Sequence, residues 1–323
     1  MKAIVYSRYG SPDVLRCEEV EKPIPQDGEV LVQVRAASVN PADWHFVRGK
    51  PYLVHLLAGL RRPKVTRLGI DFAGRVEAVG RDVTRFRPGV EVFGTARGAF
   101  AEYVCASASA VAEKPPNVTF EQAASAGVAA FTALQGLRKG KIAAGKKVLI
   151  NGAAGGVGTF AVQIAKSYGA NVTGVCHARN VEMVRSIGAD RAVDYTREDF
   201  TRGTERWDLI LDCVGNHSLS ALRRVMSADG VCILIGAHEM GDWVEPLLGI
   251  VKPLVLSRVV SQKFVPVLAK SSPEDLATLR DLMLAGKVVP VIDRSYGLRD
   301  VPDAVRYLEA GHARGKVVIS VAG

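Results

Sequence analysis

Over the first 120 residues, apolar and polar positions alternate in short runs that Gly and Pro interrupt. Alternation with period two marks a strand with one buried face, and Glu29–Ala37, Gly74–Val79 and Val90–Gly94 carry it. The pattern changes after Pro115-Pro116. Phe120–Arg138 is Ala-rich and predicts one helix. Beyond it, short apolar runs alternate with helical periodicity: strands at Lys147–Asn151, Val172–Cys176, Ala192–Asp194, Leu209–Cys213 and Val231–Gly236, helices at Val157–Tyr168, Val181–Ile187 and Leu219–Met226. Apolar strands separated by helices predict a parallel sheet covered on both faces. The last stretch reads as a helix over Pro273–Ala285 with Ser272 as N-cap and Glu274 and Asp275 in its first turn. A strand at Val288–Ile292, a helix at Val301–Ala310 ended by Gly311 and a strand at Lys316–Val321 follow. Local pattern leaves open whether this tail extends the parallel sheet or folds back on the first domain. No internal repeat and no low-complexity segment is present.

At 323 residues, with 48% apolar and 23% charged positions, the chain suits two globular domains of roughly 100–200 residues each. No apolar run reaches the roughly 20 residues that cross a bilayer. The N-terminal Met1–Tyr6 reads as a strand rather than a signal peptide, so the expected compartment is the cytoplasm. The five cysteines, Cys17, Cys105, Cys176, Cys213 and Cys232, are odd in number and form no CxxC pair, which favours buried thiols over a metal or disulfide framework. Net charge is +9, from 42 basic and 33 acidic residues. The basic residues are scattered, which argues against nucleic acid. The tightest cluster, Arg61-Arg62-Pro63-Lys64 with Arg67, reads as a solvated loop ahead of a binding patch.

The strongest chemical signal is Val148–Gly158, whose core is Ala153-x-Gly155-x-x-Gly158. It follows a strand and opens a helix inside the alternating domain. Small residues let the backbone turn sharply and approach a pyrophosphate, and the helix N-terminus offers N–H groups and a positive dipole end to it. An NAD-selective site carries an acid at the end of the second strand. Here that strand, Asn171–Cys176, runs into His177-Ala178-Arg179-Asn180 with no acid until Glu182. Arg179 stands where a guanidinium can clamp a 2′-phosphate, and Tyr195 after the third strand can add a hydroxyl, so the expected cofactor is NADP(H).

Taken together, several segments resemble the medium-chain dehydrogenase/reductase superfamily in its zinc-free quinone oxidoreductase branch. They are Ala37–Asp43, Gly69–Gly74, Ala153–Gly158 with Ala161–Lys166, Asp212–Gly215 and Gly315–Ile319. The stretch Arg48–Lys64 resembles plastid-envelope and mitochondrial NADPH-dependent quinone or enone reductases. The resemblance implies an α/β protein: a GroES-like β domain over residues 1–121, completed by 263–323, and a doubly wound parallel-sheet Rossmann domain over 122–262, with the active site in the cleft. It also implies a homodimer, paired through an edge of the Rossmann sheet. Zinc-dependent relatives place a Cys where this chain has Asn40, a His where it has Ile70 and a Glu where it has Asp71, and a lobe with four cysteines is missing. His45, His55 and Cys105 are no substitute by spacing, so no metal is expected.

Without a Lewis acid, hydride goes best to an acceptor that is already electrophilic, a quinone or an α,β-unsaturated carbonyl. By resemblance, Asn40 and Thr132 face the nicotinamide and its ribose, and Ala154, Gly155, Gly156 and Val157 hold the pyrophosphate. Val214, Gly236 and Ala237 line the ribose and nicotinamide, and Lys316 approaches the cofactor cleft. Relatives carry Ser and Lys for the 2′-phosphate where this chain has His177 and Asn180. Asn40 and Tyr52 are the candidate catalytic side chains, although packing on Val54–Leu60 is the weightier reading of Tyr52. Asp71 is expected to bond backbone N–H groups in its turn, while Asp43 and Trp44 either line the pocket or seal the loop. The segment Glu239–Val267 is expected to shape the pocket. Two alternatives stay open: a dedicated biosynthetic enoyl-type reductase of the same fold, and a non-catalytic NADPH-binding regulatory or structural protein.

Overall fold

The computed structural model describes residues 1–52, 54–64, 66–236, 252–253, 256–258 and 260–321. It divides into two compact units, Met1–Phe131 with Lys270–Gly323, and Thr132–Ala269.

In the first unit, β1 (Lys2–Val5) and β2 (Arg16–Glu19) pair antiparallel as a two-stranded ribbon. A seven-stranded sheet is built from β3 (Glu29–Val39), β4 (Asp71–Val79), β5 (Glu91–Thr95), β6 (Tyr103–Ser107) and β7 (Val111–Glu113) together with two strands from the tail. Helices α1 (Pro41–Arg48) and α2 (Val54–Ala58) lie between β3 and β4. After β7, the Ala-rich stretch forms α3 (Phe120–Ser125) and α4 (Val128–Lys139), two helices where the pattern predicted one. A side chain from β4 sits at the break. The Asp71 carboxylate accepts the Val128 N–H at 2.9 Å and so caps a new helix start there, and a Cβ on Gly127 would lie 2.1 Å from it.

The second unit is a six-stranded, wholly parallel sheet. Its strands are β8 (Lys147–Asn151), β9 (Asn171–Cys176), β10 (Arg191–Asp194), β11 (Trp207–Asp212), β12 (Met226–Leu234) and β13 (Lys263–Pro266), in the order β10-β9-β8-β11-β12-β13. Helices α5 (Gly156–Ser167), α6 (Val181–Ser186) and α7 (Leu219–Arg224) connect them. This is the doubly wound order, and it reverses between β8 and β11, where ligands of such sheets bind. Leu149, Val175, Ile210, Leu222 and Phe264 form the packed interior of the sheet and its helices.

The tail returns to the first unit through α8 (Pro273–Leu284), β14 (Ile292–Gly297), α9 (Val301–Glu309) and β15 (Lys316–Ser320). β15 pairs antiparallel with β3, from Val317 opposite Val39 to Ser320 opposite Ala36, so the tail completes the N-terminal sheet. Val317 and Ile319 pack with Val32, Val34 and Phe72 in that core. Pairing in the tail strand begins at Ile292, not Val288 as the apolar run suggested. Pro290 has no N–H for a ladder, and the Val291 carbonyl takes the Lys316 N–H at 2.8 Å.

Candidate functional site

The end of β3 delivers Asn40 into a buried polar cluster of the first unit. Asn40 precedes Pro41 at the start of α1, a position that suits Asn because its backbone is still extended there. The Asp43 carboxylate reaches back to accept the Asn40 N–H at 2.8 Å and also accepts the Gly69 N–H at 3.1 Å. That frees the Asn40 side chain. Its Nδ2 donates to Asp71 at 2.9 Å, and its Oδ1 accepts from Lys316 Nζ at 2.7 Å. Lys316 Nζ also donates to the Val39 carbonyl at 3.2 Å and stands 3.6 Å from Asp71. Ser38 Oγ donates to Asp71 at 3.1 Å, and the Val128 N–H donates to it at 2.9 Å. Asp71 therefore does not cap its own turn, as expected from the sequence. It opens β4 and caps α4, with three donors and the Lys316 ammonium converging on one carboxylate.

Ser38, Asn40, Asp43, Asp71 and Lys316 are all buried. Burial pushes the Asp43 carboxyl up to about 7, with the neighbouring Asp71 charge adding to the rise and the N–H donors of Asn40 and Gly69 opposing it. Burial likewise pulls the Lys316 ammonium down from the usual lysine range, against the pull of Asp71 and Asp43. Tyr52 stands elsewhere in its segment, 39% exposed, its ring 5.8 Å from that of His55 and 5.9 Å from Lys50 Nζ. Trp44 stacks on His45 at 3.6 Å.

In the second unit, the turn after β8 has Gly152 in the left-handed region at φ 82°. A Cβ on Gly158 would sit 2.1 Å from the Gly152 carbonyl, so only glycine lets the helix approach the turn. Gly155 is the N-cap of α5 and has no side chain to satisfy the first-turn N–H groups. A Cβ there would meet only the Gly152 carbonyl, at 3.4 Å, so the outer side of the turn is open. Gly155, Gly156 and Val157 are half-buried and Ala154 is buried. Such a cradle fits a pyrophosphate. Val214 lies against Gly152, and a Cβ on Gly236 would strike Cys213 and Val214, so these expected lining residues converge. Thr132 is buried on α4. Ala237, and most of Glu239–Val267, lie outside the described residues.

Two residues that the sequence analysis named only within motifs, with no role of their own, sit where the strand order reverses. Asn151 and Asp212 are opposite each other at the ends of β8 and β11. Asn151 Nδ2 donates to Asp212 Oδ1 at 2.8 Å, and Asp212 Oδ2 is buried without a hydrogen-bond partner. At the end of β9, His177 Nδ1 accepts the Arg179 N–H at 3.2 Å and its ring meets that of Tyr195 edge-on at 5.7 Å. Arg179 and Tyr195 are exposed, whereas Asn180 is buried and its Oδ1 has no hydrogen-bond partner. The four residues expected around a 2′-phosphate thus gather beside one strand end.

Residues 26–116 match the alcohol dehydrogenase GroES-like domain family, and residues 187–319 match a family described as zinc-binding dehydrogenase. Over 334 residues the chain is 35% identical to 2-methylene-furan-3-one reductase of Solanum lycopersicum, covering 99% of this chain and 79% of that protein. The chain belongs to the medium-chain dehydrogenase/reductase superfamily. Another relative, the NADPH-dependent alkenal/one oxidoreductase, chloroplastic, of Arabidopsis thaliana, is 34% identical with the same shares, 99% and 79%. The solved quinone oxidoreductase of Coxiella burnetii has a TM-score of 0.87 at 30% identity, covering 100% of this chain and 99% of that one. The metal that the second family's description mentions finds poor donors here. Among the described residues no group of three or more His, Cys, Asp or Glu side chains is placed to hold an ion. The Asn40 amide oxygen is instead taken by the Lys316 ammonium, whose charge repels a dication.

Proposed function

We propose that this protein is an NADPH-dependent, zinc-independent reductase that passes hydride to a quinone or to the activated C=C of an α,β-unsaturated carbonyl. The observation that carries the reading is the open phosphate cradle at Gly155–Val157 beside the strand end bearing Arg179 and Asn180. The names of the two curated relatives and of the Coxiella protein supply the acceptor class.

When bound, the reduced nicotinamide supplies the hydride. The N–H groups of Gly156 and Val157 bind the pyrophosphate, and Arg179 neutralises the 2′-phosphate. The Asn180 Oδ1 offers an acceptor to a ribose hydroxyl. A quinone takes hydride and a proton to become a hydroquinone; an enone takes hydride at its β-carbon and a proton at its α-carbon. Neither needs its oxygen polarised by a metal, which agrees with an ammonium–carboxylate pair at Lys316 and Asp71 in place of metal ligands. By the same resemblance we extend the proposal to a homodimer, which sedimentation equilibrium reads.

The decisive assay follows the loss of reduced-nicotinamide absorbance with NADPH and then NADH on adding 1,4-benzoquinone, 9,10-phenanthrenequinone or 3-penten-2-one. Loss with NADPH that a chelator leaves unchanged is the expected result. Tight NADPH binding with no turnover on any of the three would defeat the general-reductase reading and favour a dedicated substrate or a non-catalytic role.

A further inference from the structure

The cations around the loop after Gly59 have no part in the proposed reaction. Arg8, Arg16, Arg61, Arg62, Lys64 and Arg67 are all exposed, and none is held in an ion pair among the described residues. Three other arginines of the same unit are neutralised, Arg48 by Glu309, Arg75 by Glu91 and Arg81 by Asp27, while Arg85, Arg87 and Arg97 are also exposed without an ion pair among the described residues. Three of the first six, Arg8, Arg16 and Arg67, are neighbours. Val5 and Thr66 line two adjoining hollows, one of which also takes in Arg8 and Arg16, the other Arg67 and Ile24. Tyr9, next to Arg8, donates its hydroxyl to the Gly59 carbonyl at 2.6 Å and ties the base of the loop to the same face. Glu18, Glu21 and Lys22 also line the hollows, so four cations share them with two carboxylates, and Lys22 is paired with Glu77.

Two large aliphatic side chains of this unit are exposed, Ile24 at 84% on the second hollow and Leu60 at 72% in the loop whose base Tyr9 anchors. Leu60 is followed directly by Arg61 and Arg62. Strand-tolerant nucleic-acid surfaces set aromatic rings among their cations, because bases stack on them. Aliphatic tips among cations suit a different partner: anionic headgroups take the guanidiniums while the tips enter the acyl boundary. Among the described residues no helix is long and apolar enough to cross a membrane, so the contact is peripheral. We propose that this face of the first unit docks on an anionic lipid surface, with Leu60 and Ile24 as the inserting residues. Docked there, the reductase meets its most apolar quinones where they dissolve. That consequence rests on the proposed function, whereas the binding does not.

Co-sedimentation with phosphatidylcholine vesicles containing phosphatidylglycerol, against pure phosphatidylcholine, tests it. Retention is expected only on the anionic vesicles, and is expected to vanish at about 1 M salt, where the screening length is about 3 Å. The Arg61→Glu/Arg62→Glu/Lys64→Glu variant should bind about 100-fold more weakly or worse, at roughly fivefold per cation lost. Leu60→Ser should weaken binding by about tenfold with the salt dependence kept. Thermal melting checks that these loop variants fold. Equal retention on both vesicles or on neither, an unaffected triple variant, or a preference for a single-stranded oligonucleotide over the vesicles overturns the proposal. In a second arm, the ratio of turnover for a long-chain quinone in vesicles to that for a water-soluble quinone should fall in the triple variant. Since sedimentation needs no turnover, failure of the reductase reading and failure of the docking reading give different results.

Discussion

Asp71 caps helix α4 from a different strand: its Oδ1 accepts the Val128 N–H at 2.9 Å, directly above the glycine that separates α3 from α4. The cap supplies an acceptor to a helix start that its own preceding residues, Ala126 and Gly127, cannot provide. It also sets the size limit at Gly127, whose Cβ would lie 2.1 Å from Asp71 Oδ1. Gly127→Ala must displace either the carboxylate or the helix start. Overpacking of this kind costs about 1–3 kcal/mol, and the displaced carboxylate would also loosen Asn40 and Lys316. Urea denaturation should register that loss, and a variant as stable as the parent would mean that the cap is not formed.

The Asp71–Lys316 pair is fully buried, so its two halves should be strongly non-additive. Asp71→Ala leaves an ammonium in the interior with only Asn40 and the Val39 carbonyl, and should cost about 3–5 kcal/mol. Lys316→Met strands the carboxylate but keeps the Ser38, Asn40 and Val128 donors, and should cost less. The double variant should recover part of the Asp71→Ala loss. A double-mutant cycle that closes to zero coupling would show that the 3.6 Å approach carries no energy.

These relationships mark where the sequence stops being readable. The parallel sheet was legible because strands buried on both faces read as apolar runs, and the Ala153–Gly158 turn because its glycines are demanded by local geometry. The break at Gly127 was not, since the group that caps the second helix there lies on a strand far away in the chain. Asp43 and Asp71 carry no local sign that they are buried, and the Val288–Ile292 run is apolar because Val288 packs in the interior, not because it pairs. At the switch point Asn151 and Asp212 were visible as members of motifs, but their mutual bond follows only from strand order. The protruding Leu60 was unreadable too, because a lone Leu in a polar loop gives no hint of which way it faces.

The raised Asp43 carboxyl has a pH signature of definite sign. Its value is about 7 in the folded chain against 3.8 for an unperturbed Asp. Between those values the folded state holds a proton that the unfolded state has released, so this group's contribution to stability falls as pH rises from about 4 to about 7. Lys316 acts oppositely at alkaline pH: its lowered value means that the folded state gives up a proton first, so its contribution rises with pH through that window. Asp43→Asn should flatten the acid-side slope while keeping an acceptor for one of the two N–H groups. The carboxyl carbon of Asp43, followed by NMR, should titrate near pH 7; a midpoint near 4 would contradict the burial argument.

The proposed function puts the choice of cofactor at the end of β9. Arg179 brings a guanidinium there with no acid until Glu182, and Asn180 Oδ1 is buried with nothing to accept from. An NADPH 2′-phosphate would gain the charged contact, which NADH cannot make. Charge-assisted bonds of about 1.5–3 kcal/mol correspond to roughly 10–100-fold in binding. Arg179→Ala should therefore weaken NADPH by that factor, measured by quenching of protein fluorescence, and leave NADH within about twofold. Asn180→Ala should weaken both cofactors alike, because the ribose hydroxyl it would serve is common to them. Asn180→Asp should instead oppose the 2′-phosphate and shift preference toward NADH. If Arg179→Ala weakens NADPH and NADH equally, the guanidinium is not reading the phosphate, and selectivity must be sought at Tyr195 and His177, whose rings meet edge-on at the same strand end.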